Sequence, residues 1–206
     1  MALTAKDKGG VDFDPTPEGM HQAIAIGIYD LGTQFSEKFG KSAHKCLLMW
    51  ELPDVRIDIE KDGETVNLPR AISKQYTVSL HEKSALRKDL QTWRGKSFTV
   101  DELKGFNVLN VLGANGTLQV IHNKKDDKTY ANVAAIMPLV SGEKKKPENP
   151  LRSFSFETDE FPPEGTPEWV LDIIKQSDEW KAKGASPDMP PDGDPGFAPD
   201  EDDIPF

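Results

Sequence analysis

From His21 onward the chain carries short apolar stretches with a two-residue period, interrupted once by a helical one. That order limits the fold more than any other feature. In HQAIAIGIYDLG, Ile24, Ile26 and Ile28 alternate with Ala23, Ala25, Gly27 and Tyr29, which predicts a strand with a greasy face and a small-residue face. HKCLLMWEL (44–52) is a second apolar run of strand length. VRIDI (55–59) and TVNL (65–68) flank EKDGE, where Asp62-Gly63 fits a hairpin turn, and RAISKQYTVSL (70–80) is β-rich again. HEKSALRKDLQTWRG (81–95) breaks the pattern. Leu86, Leu90 and Trp93 recur there at helical spacing, and Gly95 suits the C-terminal cap. TVDE (99–102) has capping-box spacing ahead of a short helix, and NVLNVLG (107–113) reads as another. GTLQVIHN (116–123) and TYANVAAIMPL (129–139) return to strand, joined by KKDDK.

Strand, strand, strand, helix, strand, strand is the plan of the OB-fold, a small partly open barrel. The expected architecture is therefore mainly β: a five-stranded OB-fold barrel over 21–140, with a helix between strands 3 and 4. Residues 1–20, rich in Gly, Pro and charge, read as a flexible arm. Within the extension 141–184, TPEWVLDIIKQSDEWKAKG (166–184) predicts one amphipathic helix, capped by Thr166 with Pro167 in its first turn. Its stripe of Trp169, Ile173 and Trp180 is expected to pack on the body. From Ala185 to Phe206, Pro, Gly and Asp dominate, the composition of a disordered acidic tail.

Charge follows the same division. The net charge is −10, yet seven of the 35 acids lie beyond Lys183 and no base does, leaving 28 acids against 25 bases before them. A body of net −3 with local basic patches is compatible with nucleic acid, whereas evenly spread acidity would not be. One cysteine, Cys46, excludes an internal disulfide and a cysteine-rich zinc site. His44 and Cys46 would share a strand face, but two ligands do not make a metal site. No metal and no cofactor are expected. Nothing reads as a signal peptide, and no apolar run approaches 18 residues.

No phosphate loop, nucleophile elbow or His-Glu zinc motif is present, so an enzyme is not expected. Asp58, Glu60 and Asp62 could hold magnesium in a nuclease, but they read better as a solvated hairpin face. Binding is the more productive reading. Single-strand binders join cations for phosphates to aromatic faces for bases. Lys45 on the second strand, Arg70, Lys74 and Tyr76 on the third, and His122, Lys124, Lys125 and Tyr130 around the last turn supply both. In an OB-fold these fall on the strand 2–3 face and the loop joining strands 4 and 5. Tyr29, facing away from the isoleucines, is a further stacking candidate. Tyr76 reads equally as core, since Ile72, Val78 and Leu80 share its parity.

The stretch Asp200, Glu201, Asp202, Asp203, Ile204, Pro205, Phe206, behind a Pro/Gly-rich linker, resembles the C-terminal tip of bacterial single-stranded DNA-binding proteins. QYTVSLHEKSALRKDLQTWRGKSF and KTYANVAAIMPL resemble phage- and prophage-encoded single-stranded DNA-binding proteins, a similarity spanning residues 20–182. The resemblance implies an OB-fold and sequence-independent coating of single-stranded DNA in phage replication or recombination, in the cytoplasm of a bacterial host. It also implies that the tail recruits replication or recombination proteins. A pocket would capture Phe206 and its carboxylate while the acids meet a basic rim. Two other readings stand beside it: a recombination mediator or annealing accessory, and an acidic protein-interaction module that does not bind DNA. A DNA mimic would spread its acids over the folded body rather than its tail.

Overall fold

The computed structural model describes residues 14–61, 63–126, 128–140 and 142–184. The acidic stretch Asp200–Phe206 and most of the N-terminal arm lie outside the described residues. Five long strands appear in order: β1 (Gly19–Ser36), β2 (Lys41–Lys61), β3 (Glu64–Thr77), β4 (Asn115–Lys125) and β5 (Lys128–Met137). A helix, α1 (Ala85–Arg94), lies between β3 and β4. The Ser84 side chain caps it by accepting from the Arg87 amide at 3.2 Å. Gly95 ends it at φ 67°, a left-handed conformation that glycine adopts without a Cβ penalty. The two short helices expected after it are single 3-10 turns, Glu102–Lys104 and Val108–Val111.

Apolar segments that are separate in the sequence merge into long strands, because the prolines between them sit at one irregularity. Pairing of β2 with β3 jumps from Leu52 opposite Arg70 to Arg56 opposite Pro69. Pro53 falls in this break and Pro69 borders it, where a missing N–H costs little regular ladder bonding. The strands form a curled antiparallel sheet in the order β3-β2-β1-β4-β5, and its outer strands β3 and β5 come into contact. The result is a half-barrel.

A second irregularity redistributes the isoleucines. Between Ala25 and Gly27 the register of β1 against β2 shifts, and a shift of one residue exchanges the faces of a strand. Ile28 therefore joins Ala23 and Ala25 inside the curl, with Leu48, Trp50 and Ile72, over Leu86, Leu90 and Trp93 of α1. Ile26 instead points to the outer face with Tyr29, Leu31, Leu47 and Met49. The three isoleucines do not share a face as the alternation predicted.

The outer face is covered by the C-terminal segment. Where β4 parts from β1 at Ile24, a short strand not anticipated from the sequence, β6 (Arg152–Phe154), takes the vacated edge and pairs in parallel with Gly27–Tyr29. The single helix expected over 166–184 is two: α2 (Glu168–Lys175) and α3 (Asp178–Gly184). Ser177 breaks it, its hydroxyl donating to the Ile174 carbonyl at 2.6 Å and accepting from the Trp180 amide at 3.1 Å. Nor does Thr166 cap the helix; its hydroxyl donates to the Pro163 carbonyl, and Pro167 is the N-cap. Val170 and Ile174 are fully buried against β1 and β2, with Trp169, Ile173 and Trp180 half-buried beside them.

A two-point clasp holds α3 to β1. The Thr33 amide and hydroxyl donate to the two Glu179 carboxylate oxygens at 2.6 and 2.7 Å. Partial burial pulls the Glu179 carboxyl up, but the Thr33 donors, with His44 nearby, more than offset it and hold it below the usual glutamate range. Its contribution is therefore complete above the free-glutamate value and is lost as pH falls through the lowered one. Gly32, at φ 68°, makes room: a Cβ there would lie 2.5 Å from Glu179 Oε2 and 2.6 Å from Ser177 Cβ. Gly32→Val is expected to release α3, speeding amide exchange at Trp180 and Lys181 by about tenfold or more while β4 and β5 stay protected. Unchanged exchange at α3 would refute the clasp.

Candidate nucleic-acid interface

The residues expected to meet DNA fall into three groups with different surroundings. Tyr29 does not face solvent: it is 2% exposed, beside Phe154 of β6 in the cluster that Val170 and Ile174 of α2 complete, and burial pushes its phenol up against the pull of Arg152 and Thr166. No base can stack on it. The expectation failed because the shift after Ala25 puts Tyr29 on the outer face with Ile26, and the C-terminal segment covers that face. Tyr76 is 3% exposed in the inner cluster, and its hydroxyl donates to Asp89 Oδ2 of α1 at 2.7 Å. Lys74 Nζ donates to the same oxygen at 2.9 Å. Burial first, then the Asp89 charge, raises the Tyr76 phenol far above its ordinary value. The even-numbered face of β3 is thus turned to α1.

Arg70 and His122 hold the N-terminal segment. The Arg70 guanidinium donates to the Asp14 carbonyl. A His122 ring nitrogen lies 2.8 Å from the Thr16 carbonyl, and the His122 amide donates to Glu18 Oε1 at 2.7 Å. Thr16 is buried as a result, so residues 14–18 form a strap between β3 and β4.

The others remain at the surface. Lys45 Nζ donates to Thr77 Oγ1 at 2.9 Å across the β2–β3 pair. Lys124 and Lys125 stand exposed at the end of β4, opposite Thr129 and Lys128, and half-buried Tyr130 faces Asn123. The structure brings Lys124, Lys125 and Tyr130 onto one hairpin, with Lys45 on another.

Among the described residues, the most exposed aromatics lie where the sequence reading did not look. Phe35 and Phe39, 61% and 70% exposed, flank the turn between β1 and β2. Lys38 Nζ lies 5.8 Å from the centroid of the Phe39 ring, and Lys41 opens β2 opposite Ser36. The Phe39 amide donates to the Ser36 carbonyl and the Gly40 amide to that of Glu37, which fixes the turn. The signal was legible in QFSEKFGKS: two phenylalanines four apart, in a polar turn with no apolar run to join. An exposed phenyl face with an ammonium beside it can stack a base and meet its phosphate.

Two other sequence candidates have local roles. Asp58 accepts from Asn67 Nδ2 at 2.6 Å, while Asp62 lies outside the described residues. His44 Nε2 lies 2.6 Å from Asp30 Oδ1. Cys46 is buried, and burial followed by Asp30 pushes its thiol up to about 12, so it stays protonated and unreactive near neutral pH. Among the described residues no helix is long and apolar enough to cross a membrane. No family model matches the chain, and a search of curated proteins finds no relative.

Proposed function

We propose that this chain is a sequence-independent single-stranded DNA-binding protein built on an OB-type barrel. The observation that carries the reading is the β1–β2 turn, two exposed phenyl rings with lysines beside them. The sheet order β3-β2-β1-β4-β5, the contact between β3 and β5, and α1 between β3 and β4 support the OB assignment. In that fold the loop joining strands 1 and 2 and the loop joining strands 4 and 5 border the binding face. The second of these holds Lys124 and Lys125. The role we assign is to coat single strands during phage replication or recombination. The acidic stretch 200–206, outside the described residues, is the segment we assign to recruiting partner proteins.

The test is a titration of the full chain with labelled oligo-dT and a matched duplex at several salt concentrations. We expect preference for the single strand, with log affinity falling against log salt at about −0.7 per phosphate neutralised. An absence of oligo-dT binding at low salt would overturn the reading in favour of a protein-interaction module. Accelerated pairing of complementary strands would favour the annealing role.

A further inference from the structure

On the outer side of the curl, where β3 and β5 come into contact, Trp169 of α2 borders a cleft together with residues of both strands. The cleft so formed, about 190 Å³, is lined by Leu47, Ser73, Gln75, Asn132, Val133 and Trp169, with Lys74 at its margin. We propose that it is a single-base pocket, in which a nucleobase of a bound strand stacks on the Trp169 indole. This rests on the single-strand reading above and adds a part of the chain outside the five-stranded barrel to the binding surface.

Size and chemistry select the occupant. Pockets that enclose a whole small molecule run to about 300–1,000 Å³, so this cleft fits one ring system and leaves sugar and phosphate outside. Trp169 contributes an indole ring to the lining. The polar lining is two carboxamides, Gln75 and Asn132, and the Ser73 hydroxyl, each able to donate and to accept. Such a lining meets the edge of any base without demanding one, in keeping with sequence-independent binding. Asn132 Nδ2 also donates to the Tyr130 carbonyl at 3.3 Å, which orients the side chain on β5.

One cation, Lys45, stands where the backbone would pass. Two residues along β3 from Gln75, on the same face, Thr77 holds Lys45 Nζ at 2.9 Å, about 7 Å along the strand from the cleft. The stacking wall is preorganised, because Val170, the next residue to Trp169, is fully buried, as is Ile174 one turn on. Their burial fixes α2 on the sheet, so little ordering remains to be done when a base arrives.

Three full-length chains decide the matter: the unaltered protein, Trp169→Phe and Trp169→Ala. Each is titrated with oligo-dT and oligo-dA, following tryptophan emission and, separately, the anisotropy of a labelled strand. Trp50 and Trp93 are buried, and half-buried Trp180 packs edge-on against Phe161 and does not line the cleft, so Trp169 should carry most of any quenching that a base in the cleft causes. Trp169→Phe should keep its affinity within about threefold, since an aromatic wall remains, yet lose most of the quenching. Trp169→Ala should bind about 5- to 150-fold more weakly. Quenching in Trp169→Phe equal to that of the unaltered chain would overturn the pocket while leaving single-strand binding intact, and this holds even if Trp169→Ala fails to fold. A folded Trp169→Ala chain with unaltered anisotropy curves would do the same. If the unaltered chain itself leaves the labelled strand's anisotropy unchanged, the single-strand reading fails and the pocket with it.

Discussion

Replacing Phe35 and Phe39 together with alanine is expected to weaken oligo-dT binding by about 2–6 kcal/mol, roughly 30-fold to 25,000-fold, at about 1–3 kcal/mol for each stacked base. Both rings project from a turn whose backbone bonds are its own, so the fold should not notice their loss. A thermal melt matching that of the unaltered chain is part of the prediction. Reversing Lys38 and Lys41 to glutamate should act differently. It removes phosphate contacts, so the salt dependence should flatten by about 1.4 in slope, about 0.7 for each lysine. If the double alanine variant binds within about twofold of the unaltered protein at matched salt, the turn is not part of the interface.

A large loss of stability is expected at Glu51, which has no exposed surface. Its carboxylate accepts from the Glu148 and Asn149 amides at 2.9 and 2.8 Å and from Asn149 Nδ2 at 2.8 Å, tying the segment after β5 to β2. Glu51→Ala leaves these donors without their acceptor, at about 1–3 kcal/mol for each buried donor that water cannot reach. Removing a buried carboxylate also relieves a desolvation cost, so a net loss of about 2–4 kcal/mol is expected. For a chain of this size that lowers Tm by roughly 4–16 °C. The neighbouring Arg56–Glu148 and Lys145–Asp54 pairs cannot substitute, since they are largely exposed ion pairs that solvent screens. Equal melting temperatures would show that the segment is held by something else.

The sequence made legible whatever depends on local period and punctuation. The helix at 85–94 and its capping glycine follow from spacing alone, as do the strands around Leu48 and Leu118. Two features escaped because nothing local encodes them. The bulge after Ala25 reverses the faces of β1, and no alternation rule contains a bulge. The three residues of β6 are too few for any period, although they decide that Tyr29 is core. At the candidate interface, basic residues were easy to find and hard to assign. Whether a lysine or arginine meets solvent depends on its partner, and Asp89 and the Asp14 carbonyl are distant in sequence from Lys74 and Arg70. Phe35 and Phe39 were missed for the opposite reason, since they sit in a turn and join no pattern.

The position of β1 has a further consequence, in time rather than in space. This strand bonds to β2, β4 and β6 and clasps α3, and the clasp joins residues 146 positions apart. Such long-range pairing places folding on the slow side of two-state behaviour, in milliseconds to seconds. During synthesis at about 5–20 residues per second, β1 leaves the ribosome roughly 7–30 s before its last partner. Through that interval Ile26, Tyr29 and Leu31 have no cover, which makes β1 the stretch of the nascent chain where chaperones would engage.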